Sequence, residues 1–174
     1  MIRLRELERG DLPALNRWRN DPELLDLLGN NFLFIAGAVD EKWYESYLAV
    51  REHNVRLAIT VEPGGEYVGN VNLTGIHPVN RSAEFSILIG DKTVWGKGVG
   101  REATRFMLAH AFSDRNLHRV YLSVLASNER ALRLYARVGF RTEGTQRQAV
   151  FKNGTYHDLV TMAVLRHEHR PAGP

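Results

Sequence analysis

Apolar and charged residues alternate from Ile2 to Leu7, the period of a half-buried strand. The pattern changes at Gly10-Asp11-Leu12-Pro13, where Asp11 as cap and Pro13 in the first turn predict a helix that carries Leu12, Leu15 and Trp18 inward. Asn20-Asp21-Pro22 ends it. The stretch through Gly37, with Asn30, Asn31, Phe32 and Phe34, reads as an aromatic loop of the kind that borders a pocket. Asp40 is expected to cap a second helix, in which Trp43, Tyr44, Tyr47, Leu48 and Val50 recur at helical spacing. Strands are expected at 55–61, 67–76 and 83–89. The turns Pro63-Gly64-Gly65 and His77-Pro78-Val79-Asn80 join these three into an antiparallel meander. From Gly98 to about Asp114 the helical period returns, followed by a strand at 118–125 and a helix at 129–138 that stops at Gly139. Lys152-Asn153-Gly154-Thr155 is a hairpin signal between the last two strands.

The resulting order, βααβββαβαββ, predicts one mixed α/β domain over 1–166, with 167–174 as a flexible tail. A chain of 174 residues, 44% apolar and 25% charged, is the size and usage of an ordinary globular domain. Cysteine is absent, which excludes a disulfide framework, a thiolate metal site and an enzyme-borne thiol carrier. The net charge of +3 is spread along the chain, and its densest basic cluster, Arg130, Arg133, Arg137 and Arg141, reads as a solvated helix face. No nucleic-acid stripe, signal peptide or membrane span is evident, so a cytoplasmic protein without nucleic-acid or membrane partners is expected. The histidines show no ligand spacing, and no metal is expected.

The chemistry-bearing motif is Trp95-Gly96-Lys97-Gly98-Val99-Gly100 ahead of a helix. Alternating glycines let the backbone approach an anion, the first helical N–H groups lack carbonyl partners, and Lys97 and Arg101 add full charges. A mononucleotide loop would need Lys followed by Ser or Thr after the last glycine. A dinucleotide loop would need wider spacing between parallel strands. Neither pattern fits.

With Ala83-Glu84-Phe85-Ser86-Ile87-Leu88-Ile89, this loop, Leu122–Leu125, Asn128, Ala131, Tyr135 and Gly139-Phe140, the chain resembles the GNAT superfamily of N-acetyltransferases. It is most similar to the branch holding ribosomal-protein N-terminal and spermidine N-acetyltransferases. The resemblance implies a mostly antiparallel sheet with one splayed parallel pair, flanked by helices, and acetyl-CoA as acetyl donor. Trp95 stands where the family usually has Arg or Gln.

By the same resemblance the strands part after Leu88, and the pantetheine arm lies along Ile87, Leu88 and Ile89. The N–H of Leu88 or Ile89 then faces the thioester oxygen. The pyrophosphate meets Trp95, Gly96, Lys97, Gly98, Val99, Gly100 and Arg101, and Asn128, Ala131 and Tyr135 complete the donor site. Direct transfer leaves two proton steps: Glu84 is the candidate base for the amine and Tyr135 the candidate acid for the leaving sulfur. Strand parity alone leaves open which face of the strand meets the acceptor. A solvent-facing Glu84 paired with Arg81, and a purely packing Tyr135, are the competing readings.

The acceptor is expected to be a primary amine of a peptide N-terminus, amino sugar or other small molecule, because the loop at 30–35 lacks the carboxylates typical of polyamine enzymes. The alternatives are a polyamine acetyltransferase or a non-catalytic acyl-CoA-binding regulatory domain. Lys152-Asn153-Gly154 points toward the polyamine enzymes, whereas Trp18-Arg19-Asn20-Asp21-Pro22 looks like an amino-sugar acetyltransferase. Exposed aromatics such as Trp43 suggest a homodimer.

Overall fold

The computed structural model describes residues 1–30 and 33–169. Seven strands form one sheet in the order β1-β2-β3-β4-β5-β7-β6: β1 Ile2–Glu6, β2 Val55–Val61, β3 Glu66–His77, β4 Ser82–Ile89, β5 Arg119–Leu125, β6 Arg141–Lys152 and β7 Thr155–Leu165. Every neighbouring pair is antiparallel except β4 and β5. The meander β2-β3-β4 and the hairpin β6-β7 stand where turn residues predict them.

Helices α1 (Leu12–Arg19), α2 (Pro22–Leu25) and α3 (Gly37–Ala49) belong to the first half, and α4 (Val99–Ala109) and α5 (Glu129–Arg137) to the second. One core lies under α4 and α5 and includes Val71, Leu73, Phe85, Met107, Val120 and Tyr135. A smaller one lies on the opposite sheet face, where Leu12 and Leu15 of α1 and Tyr44 and Tyr47 of α3 pack on Ala58 and Leu88. β4 separates the two because its side chains alternate between them.

Three expectations change. Asp21, rather than only breaking α1, accepts from the N–H groups of Glu23 and Leu24 and starts the short α2. Helix α3 begins before Asp40, with Ala36 as its N-cap, and Asp40 is fully buried in the first turn, ion-paired with Arg19. The helix after the glycine loop ends in a wider π turn at His110–Asp114. Of the expected tail, His167 and Glu168 complete a 3-10 turn that starts at Arg166, and the His169 ring lies 5.1 Å from that of Phe112. No helix among the described residues is long and apolar enough to cross a membrane.

Candidate active site

Gly96 and Gly98 have φ of 79° and 85°, a left-handed region that costs other L-residues about 1–2 kcal/mol. Gly98 is the N-cap of α4, and the helical ladder begins with Glu102 N–H donating to the Gly98 carbonyl at 3.0 Å. The N–H groups of Val99, Gly100 and Arg101 therefore have no acceptor in the helix. Lys97 and Arg101 are exposed beside them. This cradle fits a pyrophosphate through backbone donors, a helix dipole and two cations. Trp95 has a structural task that accounts for its place in the motif: its Nε1–H donates to the Ile89 carbonyl at 3.0 Å, and Arg130 lies 5.1 Å over its ring.

Parallel pairing of β4 with β5 runs only through Ser82↔Arg119, Ala83↔Val120 and Glu84↔Tyr121. The strands thus part after Glu84, four residues before the expected point at Leu88. Backbone alternation then decides which groups face the gap. The Arg81 carbonyl accepts from β5 at Arg119 N–H, and the Ile89 carbonyl turns to Trp95, whereas Gly90 N–H donates to Val68 in β3. Odd-numbered residues of β4 face β5, so Ile87 and Ile89 open into the gap. Leu88, expected as a donor there, points its backbone toward β3 instead. Across the gap, the even-numbered residues of β5 face β7, as the bond from Arg166 N–H to the His118 carbonyl indicates. Ser123 and Leu125 are left facing Ile87 and Ile89. These two were not anticipated, although strand parity in Leu122–Leu125 carries the signal.

Side chains of β4 divide by the same alternation. Phe85, Ile87 and Ile89 join the core under α4 and α5, whereas Glu84 and Ser86 are exposed on the α1–α3 side. No ion pair joins Glu84 to Arg81 or to any other described residue. Tyr135 lies across the sheet from Glu84. Its ring meets Phe85 edge-on at 6.0 Å and Phe140 at 5.7 Å, and it is 8% exposed. Burial pushes its phenol up to about 12, so it stays protonated at neutral pH. Asn128 caps α5 through its Oδ1, which accepts from Ala131 N–H at 3.0 Å. Its amide also donates to the Leu27 carbonyl at 2.9 Å.

That last bond belongs to a clasp that the hairpin signal did not disclose. The buried Lys152 ammonium donates to the carbonyls of Leu25 and Leu28, and Asn153 donates to Asp26 at 2.9 Å. Desolvation lowers the Lys152 pKa. The Lys-Asn-Gly turn thus fastens α2 beside Asn128. The motif Trp18-Arg19-Asn20-Asp21-Pro22 is likewise scaffold. Trp18 fills the space where a Cβ on Gly90 would stand 1.9 Å from its ring, Arg19 pairs with Asp40, and Asn20 both accepts from Ile35 N–H and donates to its carbonyl. Asp21 pairs with Lys92 at 2.7 Å. Trp43, expected as a free aromatic, is covered by the guanidinium groups of Arg19 and Arg56 at 4.2 and 4.6 Å. In the adjoining loop Phe34 is 96% exposed, while Asn31 and Phe32 lie outside the described residues.

Comparison with known proteins agrees with this geometry. Residues 2–141 match the family model described as an acetyltransferase (GNAT) domain. The chain is 32% identical to the spermidine N(1)-acetyltransferase of Vibrio cholerae, over 97% of this chain and 95% of that one. It is 29% identical to the corresponding Escherichia coli K12 enzyme, over 97% and 88%. The crystal structure of the Vibrio cholerae spermidine N-acetyltransferase in complex with CoA and spermine superposes with a TM-score of 0.89 at 30% identity, covering 96% of each chain. With a splayed parallel pair, a glycine cradle and a matching family model, the chain belongs to the GNAT family and is an N-acetyltransferase that uses acetyl-CoA as donor.

Proposed function

We propose that the chain transfers the acetyl group directly to a primary amine, and that spermidine-like polyamines are acceptors. Likeness to spermidine acetyltransferases along nearly the whole chain carries the choice of acceptor. Glu84 takes a proton from the ammonium, through water, so that the free amine attacks the thioester carbon. The gap-facing N–H of Ile89 or Ile87 donates to the carbonyl oxygen as it gains charge, a type of contact that contributes about 10²–10³ in rate. The amine forms the new C–N bond, the C–S bond breaks, the nitrogen gives up its surplus proton to solvent or to the departing thiolate, and Tyr135 faces that sulfur. Full transfer from a phenol near 12 to a thiolate of ordinary pKa ~8.5 is uphill by about 5 kcal/mol. Tyr135 therefore acts chiefly by donating a hydrogen bond while the C–S bond breaks. Val99, Gly100, Arg101 and Lys97 hold the pyrophosphate. The cytoplasm and a homodimer complete the proposal.

A second reading, an acceptor bearing an anionic group, is favoured by Arg56, which lies over Trp43 on the α1–α3 side and has no ion pair among the described residues. Release of CoA thiol measured against polyamines, amino sugars, peptides and aminoglycosides separates them. Faster release with spermidine than with any acidic amine supports the first reading. No release with polyamines, alongside turnover of another class, overturns it.

A further inference from the structure

At the end of the sheet where β4 and β5 begin, four separate segments of chain line a cavity of about 320 Å³. The 3-10 turn Arg51–His53 supplies Glu52 and His53, and the end of β3 supplies Ile76 and His77. Arg81 comes from the turn before β4, and Arg115 from the link between α4 and β5. The glycine cradle follows the other end of β4, and Ser82 to Ile89 spans about 23 Å at the rise of a strand. The cavity is therefore separate from the cradle. Its walls are tied to their surroundings: Arg115 Nη2 donates to the Glu52 carbonyl at 3.0 Å, and the Arg81 carbonyl accepts from the N–H groups of His118 and Arg119 at 2.6 and 3.2 Å. Arg81 itself has a φ of 49°, a left-handed conformation that glycine or asparagine usually fills. Other residues persist in that region where the surroundings impose it, and such positions cluster at ligand clamps.

Charge in this cavity is unbalanced. Among the lining residues Glu52 carries the one carboxylate, and it lies 3.3 Å from His53 Nε2. Arg81 and Arg115 have no ion pair among the described residues. His77 accepts from Asn80 N–H through Nδ1 at 3.0 Å, which leaves its ring proton on Nε2 as a donor. Arg81, Arg115 and His77 are all exposed, so a ligand reaches them from solvent. Two uncompensated guanidinium groups and an imidazole donor thus stand beside the apolar surface of Ile76, Pro78 and Leu117. Their two positive charges match the charge of about −1.5 to −2 that a phosphomonoester carries at neutral pH, and guanidinium forks fit its oxygens. A volume near the lower end of the range for small-molecule pockets limits the rest of such a ligand to a small carbon body.

We propose that this cavity binds the phosphate group of a small phosphomonoester, with Arg81 and Arg115 donating to its oxygens and His77 Nε2–H completing the set. The carbon body of the ligand rests on Ile76, Pro78 and Leu117.

The test is calorimetry on the CoA-saturated protein, so that the glycine cradle is occupied, with glycerol 3-phosphate, glycerol, malonate and inorganic phosphate as separate titrants. Glycerol 3-phosphate should bind at least tenfold more tightly than each of the others. Arg81→Gly suits the left-handed backbone while removing the guanidinium, and it should weaken that binding at least tenfold. Arg115→Met, on a different segment, should weaken it by a similar factor, whereas Lys97→Met, at the cradle, should leave it within about twofold. Malonate binding as tightly as the ester overturns the choice of phosphate. Inorganic phosphate binding as tightly as the ester makes this a free-anion site and overturns the ester. Undiminished binding in Arg81→Gly or Arg115→Met, loss of binding in Lys97→Met, or no binding of any titrant overturns the site itself.

Discussion

On the α4–α5 side of β4 the groups proposed to meet the donor are mostly backbone: first-turn N–H groups of α4 and the gap-facing residues of β4 and β5. On the α1–α3 side the groups proposed to meet the acceptor are side chains, foremost Glu84, which is exposed there beside Ser86. Backbone donors survive substitution so long as φ and register are kept, whereas a side-chain surface changes with each residue. One scaffold can thus retain its donor while its acceptor drifts, which is why likeness to other chains specifies acetyl-CoA more firmly than the amine.

The largest test of this contrast is Tyr135→Phe, which removes the one side chain on the donor side expected to handle a proton. Turnover should fall at least tenfold while CoA affinity, read by calorimetry, stays within about twofold, since the ring packing is retained. Unchanged turnover would leave Tyr135 as a packing residue. The phenol also sets a sign for pH. Its folded pKa, near 12, is above the unfolded value of about 10, so its contribution to stability is complete below pH 10 and is lost as pH rises through 12. Thermal melts of the phenylalanine variant should lack that loss.

Gly98→Ala comes next. Its φ of 85° imposes about 1–2 kcal/mol of strain on a residue with a Cβ, enough to raise the acetyl-CoA KM about five- to thirtyfold if the loop shifts to relieve it. An unaltered KM for acetyl-CoA would separate the cradle from phosphate binding. The smallest effect is expected from Lys152→Met. Loss of the ammonium leaves the Leu25 and Leu28 carbonyls without their donor, at about 1–3 kcal/mol, and should loosen α2. The melting temperature should drop and the acceptor KM rise severalfold, with acetyl-CoA KM nearly constant. A rise in the acetyl-CoA KM instead would place the clasp on the donor side and blur the distinction between the faces.

Much of the scaffold is legible in the order of residues because its rules are local. Period two marks β2 and β4, period 3.6 marks α4, and Gly139 and Asn153-Gly154 mark where helix and hairpin turn. The glycine cradle is legible for the same reason. What escapes is what depends on partners distant in sequence. Asp40 looks like a cap because it stands near a helix start, yet Arg19, twenty-one residues earlier, draws it into the interior. Lys152 reads as a turn residue until the carbonyls of Leu25 and Leu28, more than a hundred residues away, are seen to surround it. The point at which β4 and β5 separate follows from register between strands, which no single window contains.

The bond from Trp95 to the Ile89 carbonyl pins the phosphate cradle to the strand that borders the gap. The proposed pyrophosphate site and the proposed reaction site are then joined through one bond, and their separation becomes a ruler for the donor. On the proposed placement, an acyl thioester whose arm is shorter than pantetheine would not reach from one mark to the other.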